Sequence, residues 1–174
     1  MLAKAYFKRS LCLCVVAVLL TSGCMATGPS YTSLESTIPQ LQTDQARLYF
    51  LRRGGFTNAA LTARVHLNGT KVVDLNMGGF AYVDRPAGKI LIMIDAPLNP
   101  GEARQMINVE NGKTYYFFVE NDYANINEQF IAYMATGVLG VIAHGGGRFA
   151  FYRISEEMAL EQLKTKKLSG SSSH

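Results

Sequence analysis

The sequence predicts a mainly β domain, an antiparallel sandwich with a short C-terminal helix. Three observations carry this. Short stretches of five to eight residues alternate apolar and polar side chains, as strands with one solvated face do. Paired glycines and two Asn-Gly dipeptides punctuate them at the spacing of sandwich turns. The helical signal is confined to the end, where Ser155 precedes Glu156 and Glu157 and an apolar edge of Ala159, Leu160 and Leu163.

The chain starts with a positive stretch, Lys4, Lys8 and Arg9, followed by an apolar run from Leu11 to Leu20. That run has the length of a secretory signal and is too short to span a bilayer. It ends in Thr21-Ser22-Gly23-Cys24, small residues before a cysteine. The ending resembles the lipobox of bacterial lipoproteins, with Thr21 where that motif usually has leucine. The resemblance implies that residues 1–23 are a signal peptide and that Cys24 becomes an acylated N-terminus. The other reading is an ordinary secreted protein cut near Gly23 or Ala26, with Cys24 incidental. Met25 is not the aspartate that keeps lipoproteins of enteric bacteria in the inner membrane, so the resemblance points to the periplasmic face of the outer membrane.

Removing the signal changes the composition. Cys12 and Cys14 go with it, leaving Cys24 alone and no internal disulfide. The whole chain has 17 basic and 13 acidic residues, and without Lys4, Lys8 and Arg9 the balance is 14 against 13, a net +1. The basic character belongs mostly to the signal, so charge gives no case for nucleic acid. About 150 residues remain, enough for one domain with a core.

Residues 24–44 are rich in Ser, Thr, Gln, Pro and Gly without a sustained period, and read as a flexible tether. The alternative is an arm that packs on the domain through Tyr31, Leu34, Ile38 and Leu41. The domain proper is expected over residues 45–168. Arg47 to Arg53 is an aromatic first strand, with Leu48 and Phe50 on one face and Tyr49 and Leu51 on the other. Thr62 to Leu67 and Lys71 to Leu75 form a hairpin about Asn68-Gly69. Phe80 to Val83 is a short strand, and Pro86-Ala87-Gly88 turns into Lys89 to Asp95, whose apolar run suits a strand buried on both faces. Gln105 to Glu110 and Lys113 to Glu120 read as a second hairpin, about Asn111-Gly112. Asn68, Gly69, Asn111 and Gly112 are thus the expected hairpin tips, where a partner would bind. Asp74, Asp84 and Asp95 at strand ends read as turn formers. Arg148 to Ile154 is the last strand, and residues 169–174 read as a disordered tail.

Residues 129–147, QFIAYMATGVLGVIAHGGG, are apolar and rich in small residues. Drawn as a helix, Ile131, Met134, Val138 and Val141 share one face, while Ala132, Thr136 and Gly140 share another at a four-residue spacing that permits close approach. The segment is expected as a core element or connection, with contact to a membrane, an envelope protein or a second copy as the other reading.

The segments ARLYFLRR, RVHLNGTKVVDLNMGGFAYVDRPAGK and NGKTYYFFVE together resemble the bacterial lipoprotein family known as domain of unknown function 2846. The resemblance covers residues 45–120. The Pro-Ala-Gly turn is similar to that of PEGA-type surface domains, which are Ig-like or prealbumin-like sandwiches. It implies a lipid-anchored envelope domain and no particular activity.

A catalytic reading rests on His144 and the run Gly145 to Gly147, which matches the HGGG oxyanion motif of some esterases. That motif works with a G-x-S-x-G elbow on an α/β sheet, and neither is in this sequence. His66, His144 and His174 do not stand at metal-ligand spacing, and no phosphate loop or dinucleotide fingerprint occurs, so no metal or cofactor is expected. The reading is therefore a non-catalytic binding or structural module of the envelope, with an envelope hydrolase at His144 as the alternative. Aromatics are dense at Tyr115 to Phe118, Tyr123, Phe149, Phe151 and Tyr152; alternation places half in the core and leaves the other half as a ligand or partner face.

Overall fold

A computed structural model of the chain describes residues 25–55, 61–121, 138–143 and 148–170, with the backbone alone for 138–143. The elements are α1 (Tyr31–Leu34), β1 (Gln45–Arg52), β2 (Ala63–Leu67), β3 (Thr70–Leu75), β4 (Gly79–Pro86), β5 (Gly88–Asp95), β6 (Glu102–Val109), β7 (Thr114–Asn121), β8 (Val138–Ala143), β9 (Phe149–Ile154), α2 (Glu156–Leu163) and β10 (Lys167–Leu168). Two sheets form the expected sandwich, one of six strands in the order β10-β4-β1-β7-β9-β8 and one of four in the order β3-β2-β5-β6. Most pairings are antiparallel. β1 with β7 and β10 with β4 are parallel.

The side-chain parity of β1 and β7 explains the layering. Ala46, Leu48 and Phe50 join Tyr115, Phe117 and Val119 in a core between the two sheets. Tyr49 and Leu51 join Tyr116 and Phe118 in a second core on the far face of the larger sheet, closed by Tyr31, Ala159 and Leu163. Alternate residues of a strand point to opposite faces, so two strands apolar at every position need cover on both sides. α2 supplies part of that cover and starts where the sequence places it, with the Ser155 hydroxyl accepting from the Met158 amide at 3.3 Å.

The rest comes from residues expected to form a tether. The Ala26 amide donates to the Met77 carbonyl at 3.0 Å, and that of Tyr31 to the Lys166 carbonyl at 2.9 Å. Tyr31 is buried, its ring edge-on to Phe80 with centroids 5.5 Å apart, and Leu34 and Ile38 pack beside it. The arm reading describes this stretch and the flexible one does not, because the second core would otherwise lie open. The tail also begins later than expected. Lys167 and Leu168 form β10, and Ser169 is buried, its hydroxyl accepting from the Asn76 amide at 3.0 Å. Gly79 makes this junction possible, since a Cβ there would stand 1.8 Å from Ser169 Oγ and 3.0 Å from Ala26 Cβ.

The Asn68-Gly69 hairpin is as expected, with φ of 50° and 82° as a type I′ turn requires. Asn111-Gly112 is not a hairpin. β6 lies in the smaller sheet and β7 in the larger, so the turn is a corner of the sandwich. Only Gly112 has positive φ, at 71°, and its amide donates to Gln45 at 2.7 Å, fixing the corner to the start of β1. β5 is buried on one face alone, through Ile90, Ile92 and Ile94. Residues 138–143 pair with β9 as an edge strand, so the helical faces drawn through Val138, Gly140 and Val141 do not exist there. Residues 129–137 and 144–147 lie outside the described residues.

Truncation to Thr43 is expected to lower the melting temperature sharply, and Tyr31→Ala to cost about 2–4 kcal/mol through the open space left on Phe80. Gly79→Ala should destabilise by about 1–3 kcal/mol, through overpacking against Ser169 and the Asn76 carbonyl. Urea titration of each chain checks these. Unchanged midpoints would mean that the arm does not belong to the folded unit.

Candidate functional site

The outward aromatic half expected as a partner face is covered by the chain itself. Tyr49, Tyr116 and Phe118 lie in the second core, with Tyr49 and Tyr116 stacked at 5.3 Å. The strand-end aspartates are not turn formers either. Asp84 takes two hydrogen bonds of 2.7 Å from Arg47, directly opposite on β1. Asp95 takes bonds of 2.8 and 2.7 Å from Arg64 and lies 3.3 Å from His66 Nε2. Burial pushes the Asp95 carboxyl up, but these hydrogen bonds and the charges of Arg64 and His66 outweigh it and hold it low. Asp74 pairs with Lys71 at 2.7 Å. The Arg47–Asp84 and Arg64–Asp95 pairs are cross-strand clamps, and the Lys71–Asp74 pair lies within β3.

The polar groups that stand apart are at the ends of β1 and β7. There the apolar runs of both strands give way to charge, exposed after β1 and buried on β7. Tyr49 and Leu51 on β1 are followed, just past the strand, by Arg53; on β7, Tyr116 and Phe118 are followed by Glu120. Because the two strands run parallel, with Arg52 opposite Val119, the charged ends meet. The result is a cleft of about 330 Å³, lined by Arg53, Gly54 and Gly55 after β1, Met77 before β4, and Val119 and Glu120 on β7, with Arg52 and Asn121 completing it. Arg52 is buried, donates to the Leu75 carbonyl at 2.9 Å, and lies over the Phe149 ring at 4.9 Å.

Glu120 is only 6 % exposed and pairs through Oε1 with Arg53, whose side chain is 62 % exposed. Its second oxygen, Oε2, is buried and meets no hydrogen-bond donor among the described residues. A buried acceptor without a donor is costly, which singles this atom out. Lys166 is buried nearby, and its ammonium feels the Arg53 charge. Among the described residues no group of three His, Cys, Asp or Glu could hold a metal ion, and no helix is long and apolar enough to cross a membrane.

Of the residues singled out in the sequence, Asn68-Gly69 and Asn111-Gly112 lie on loops of different kinds, the first joining two strands of one sheet and the second joining the two sheets. Cys24 and the His144 to Gly147 run lie outside the described residues. Sequence reasoning missed Arg53, Glu120 and Lys166. The available signal was the parity of β1 and β7, in which the apolar alternation ends in a charge at Arg53, just past β1, and at Glu120 on β7.

Burial, with the Arg53 charge beside it, lowers the Lys166 ammonium from 10.5 to about 8. The folded state thus disfavours the charged form. That penalty is fully present below about pH 8 and fades as pH rises towards the unfolded value. Lys166→Met is expected to gain stability at pH 7, by at most about 3 kcal/mol, with the gain vanishing near pH 10.5. Burial also raises the Tyr49 phenol, to about 12, and that of Tyr116, so both favour the folded state until pH rises past 10; this is common to the two chains and cancels in their difference. Urea midpoints at pH 7, 9 and 10.5 check the trend, and a constant difference would contradict it.

A comparison with curated proteins finds no similar chain. The family described as protein of unknown function (DUF2846) matches residues 42–132, just over half of the chain. The match takes in the cleft-lining residues from Arg52 to Asn121 and leaves out the N-terminal arm, β8, β9, α2 and β10. The aromatic first strand, the Asn-Gly hairpin, the Pro-Ala-Gly corner and the β7 strand that pointed to this family all lie inside the matched region, and the chain belongs to the DUF2846 family.

Proposed function

We propose that this is a lipid-anchored protein of the bacterial cell envelope, a non-catalytic module that binds or supports other envelope components. The observation that carries the reading is the N-terminal stretch, in which a basic segment, a ten-residue apolar run and Thr21-Ser22-Gly23 lead directly to Cys24. The packing of the next residues supports it. Met25 bridges to Met77 and Ala26 is buried, so an acyl group on Cys24 would hold the domain close against the bilayer instead of on a long leash. Such an anchor fixes orientation as well as location, and it faces the cleft end of the larger sheet towards the lipid.

Cys24→Ala is expected to abolish incorporation of labelled palmitate and to move nearly all of the folded protein out of the acylated membrane fraction. Retention of label by the variant would overturn the anchor.

A further inference from the structure

The cleft at the ends of β1 and β7 has three properties that bear on a ligand. It offers an exposed cation, Arg53. It offers a nearly buried carboxylate, Glu120, with one oxygen that has no donor among the described residues. It also lies against the point where the N-terminal arm docks, because Met77 both lines the cleft and bridges to Met25. A single ligand meets the first two properties if it carries an anion and an N–H cation a few ångströms apart. The third property says where that ligand comes from. Cys24 precedes Met25, and one residue spans no more than about 4 Å. If Cys24 carries the acyl anchor, the cleft is at headgroup depth.

We propose that the cleft binds the zwitterionic headgroup of a neighbouring bilayer phospholipid, its phosphate at Arg53 and its primary ammonium at Glu120 Oε2. The bilayer as the source rests on the anchor reading above. The chemistry selects ethanolamine over choline. A primary ammonium donates hydrogen bonds and supplies the donor that Oε2 lacks, whereas a quaternary ammonium has no N–H to give. Glycine at positions 54 and 55 leaves that wall of the cleft without side chains.

The test titrates the mature protein in detergent with glycerophosphoethanolamine, glycerophosphocholine and inorganic phosphate in turn, following the amide resonances of Gly54, Gly55, Val119 and Glu120. The ethanolamine compound is expected to shift these saturably, and at least tenfold more tightly than the choline compound or phosphate. Equal responses to the three would overturn the proposal, because they would reduce the site to an anion contact at Arg53. This comparison uses the unaltered protein and needs no variant to fold. Glu120→Gln, checked for folding by its other resonances, should remove the preference for ethanolamine; if the preference persists, Glu120 is not its source. The bilayer arm moves the protein from phosphatidylcholine bicelles to bicelles containing phosphatidylethanolamine. The same resonances should shift, and their failure to do so would overturn the lipid as the source. The mass of the mature N-terminus is read separately, so loss of the anchor and loss of the cleft ligand are distinguishable.

Discussion

Strands β1 and β7 lie side by side and parallel, and neither has a face left for water. From Ala46 to Arg52 and from Tyr115 to Glu120 every residue is buried. A strand of this kind cannot sit in a two-layer sandwich with one wet face, because half of its side chains would be exposed aromatics. The chain resolves the constraint with a third layer. The four-stranded sheet covers one face, through Val65, Ile92 and Ile94, and α1, α2 and the N-terminal arm cover the other. The arm, β10 and the close approach at Gly79 all follow from the need to close that second core.

The same constraint sets the cleft. Where the doubly covered strands run out stand the exposed Arg53 and the buried Glu120, and a carboxylate at a covered position must find a partner or a ligand. The two meet because β1 and β7 run in the same direction and so end at the same edge of the molecule. The β3–β4 turn and the arm arrive at that edge too, since Gly78 donates to the Arg53 carbonyl at 3.1 Å and Ala26 to Met77. The N-terminal arm and the cleft are therefore neighbours through backbone hydrogen bonds, not through a chance approach of side chains.

Much of this was legible in the sequence. The two-sheet β architecture followed from alternation and turn residues, Asn68-Gly69 from the positive φ its turn demands, and α2 from Ser155. The pairing of β6 with β7 was misread, because Asn-Gly between two strands signals a tight turn without saying whether the chain stays in one sheet. β7 has aromatics at consecutive positions, and that pattern belongs to the centre of the larger sheet. The arm looked like a spacer because its apolar residues, Tyr31, Leu34 and Ile38, are few and well separated. Their role depends on an uncovered sheet face that only the assembled fold presents. The pairing of Arg53 with Glu120 required knowing that β1 and β7 are parallel neighbours, which is a long-range fact with no local signal.

The residues directly after Cys24 are a structural part of the domain. Hydrogen exchange of the mature protein on phospholipid vesicles tests this most directly. The amides of Ala26 and Tyr31 donate to Met77 and Lys166 across the junction with β4 and β10. They should exchange as slowly as that of Ser169, which donates to Phe80 in the same junction. Exchange of Ala26 and Tyr31 at the rate of an unstructured peptide, with Ser169 still protected, would show a free leash and contradict the account.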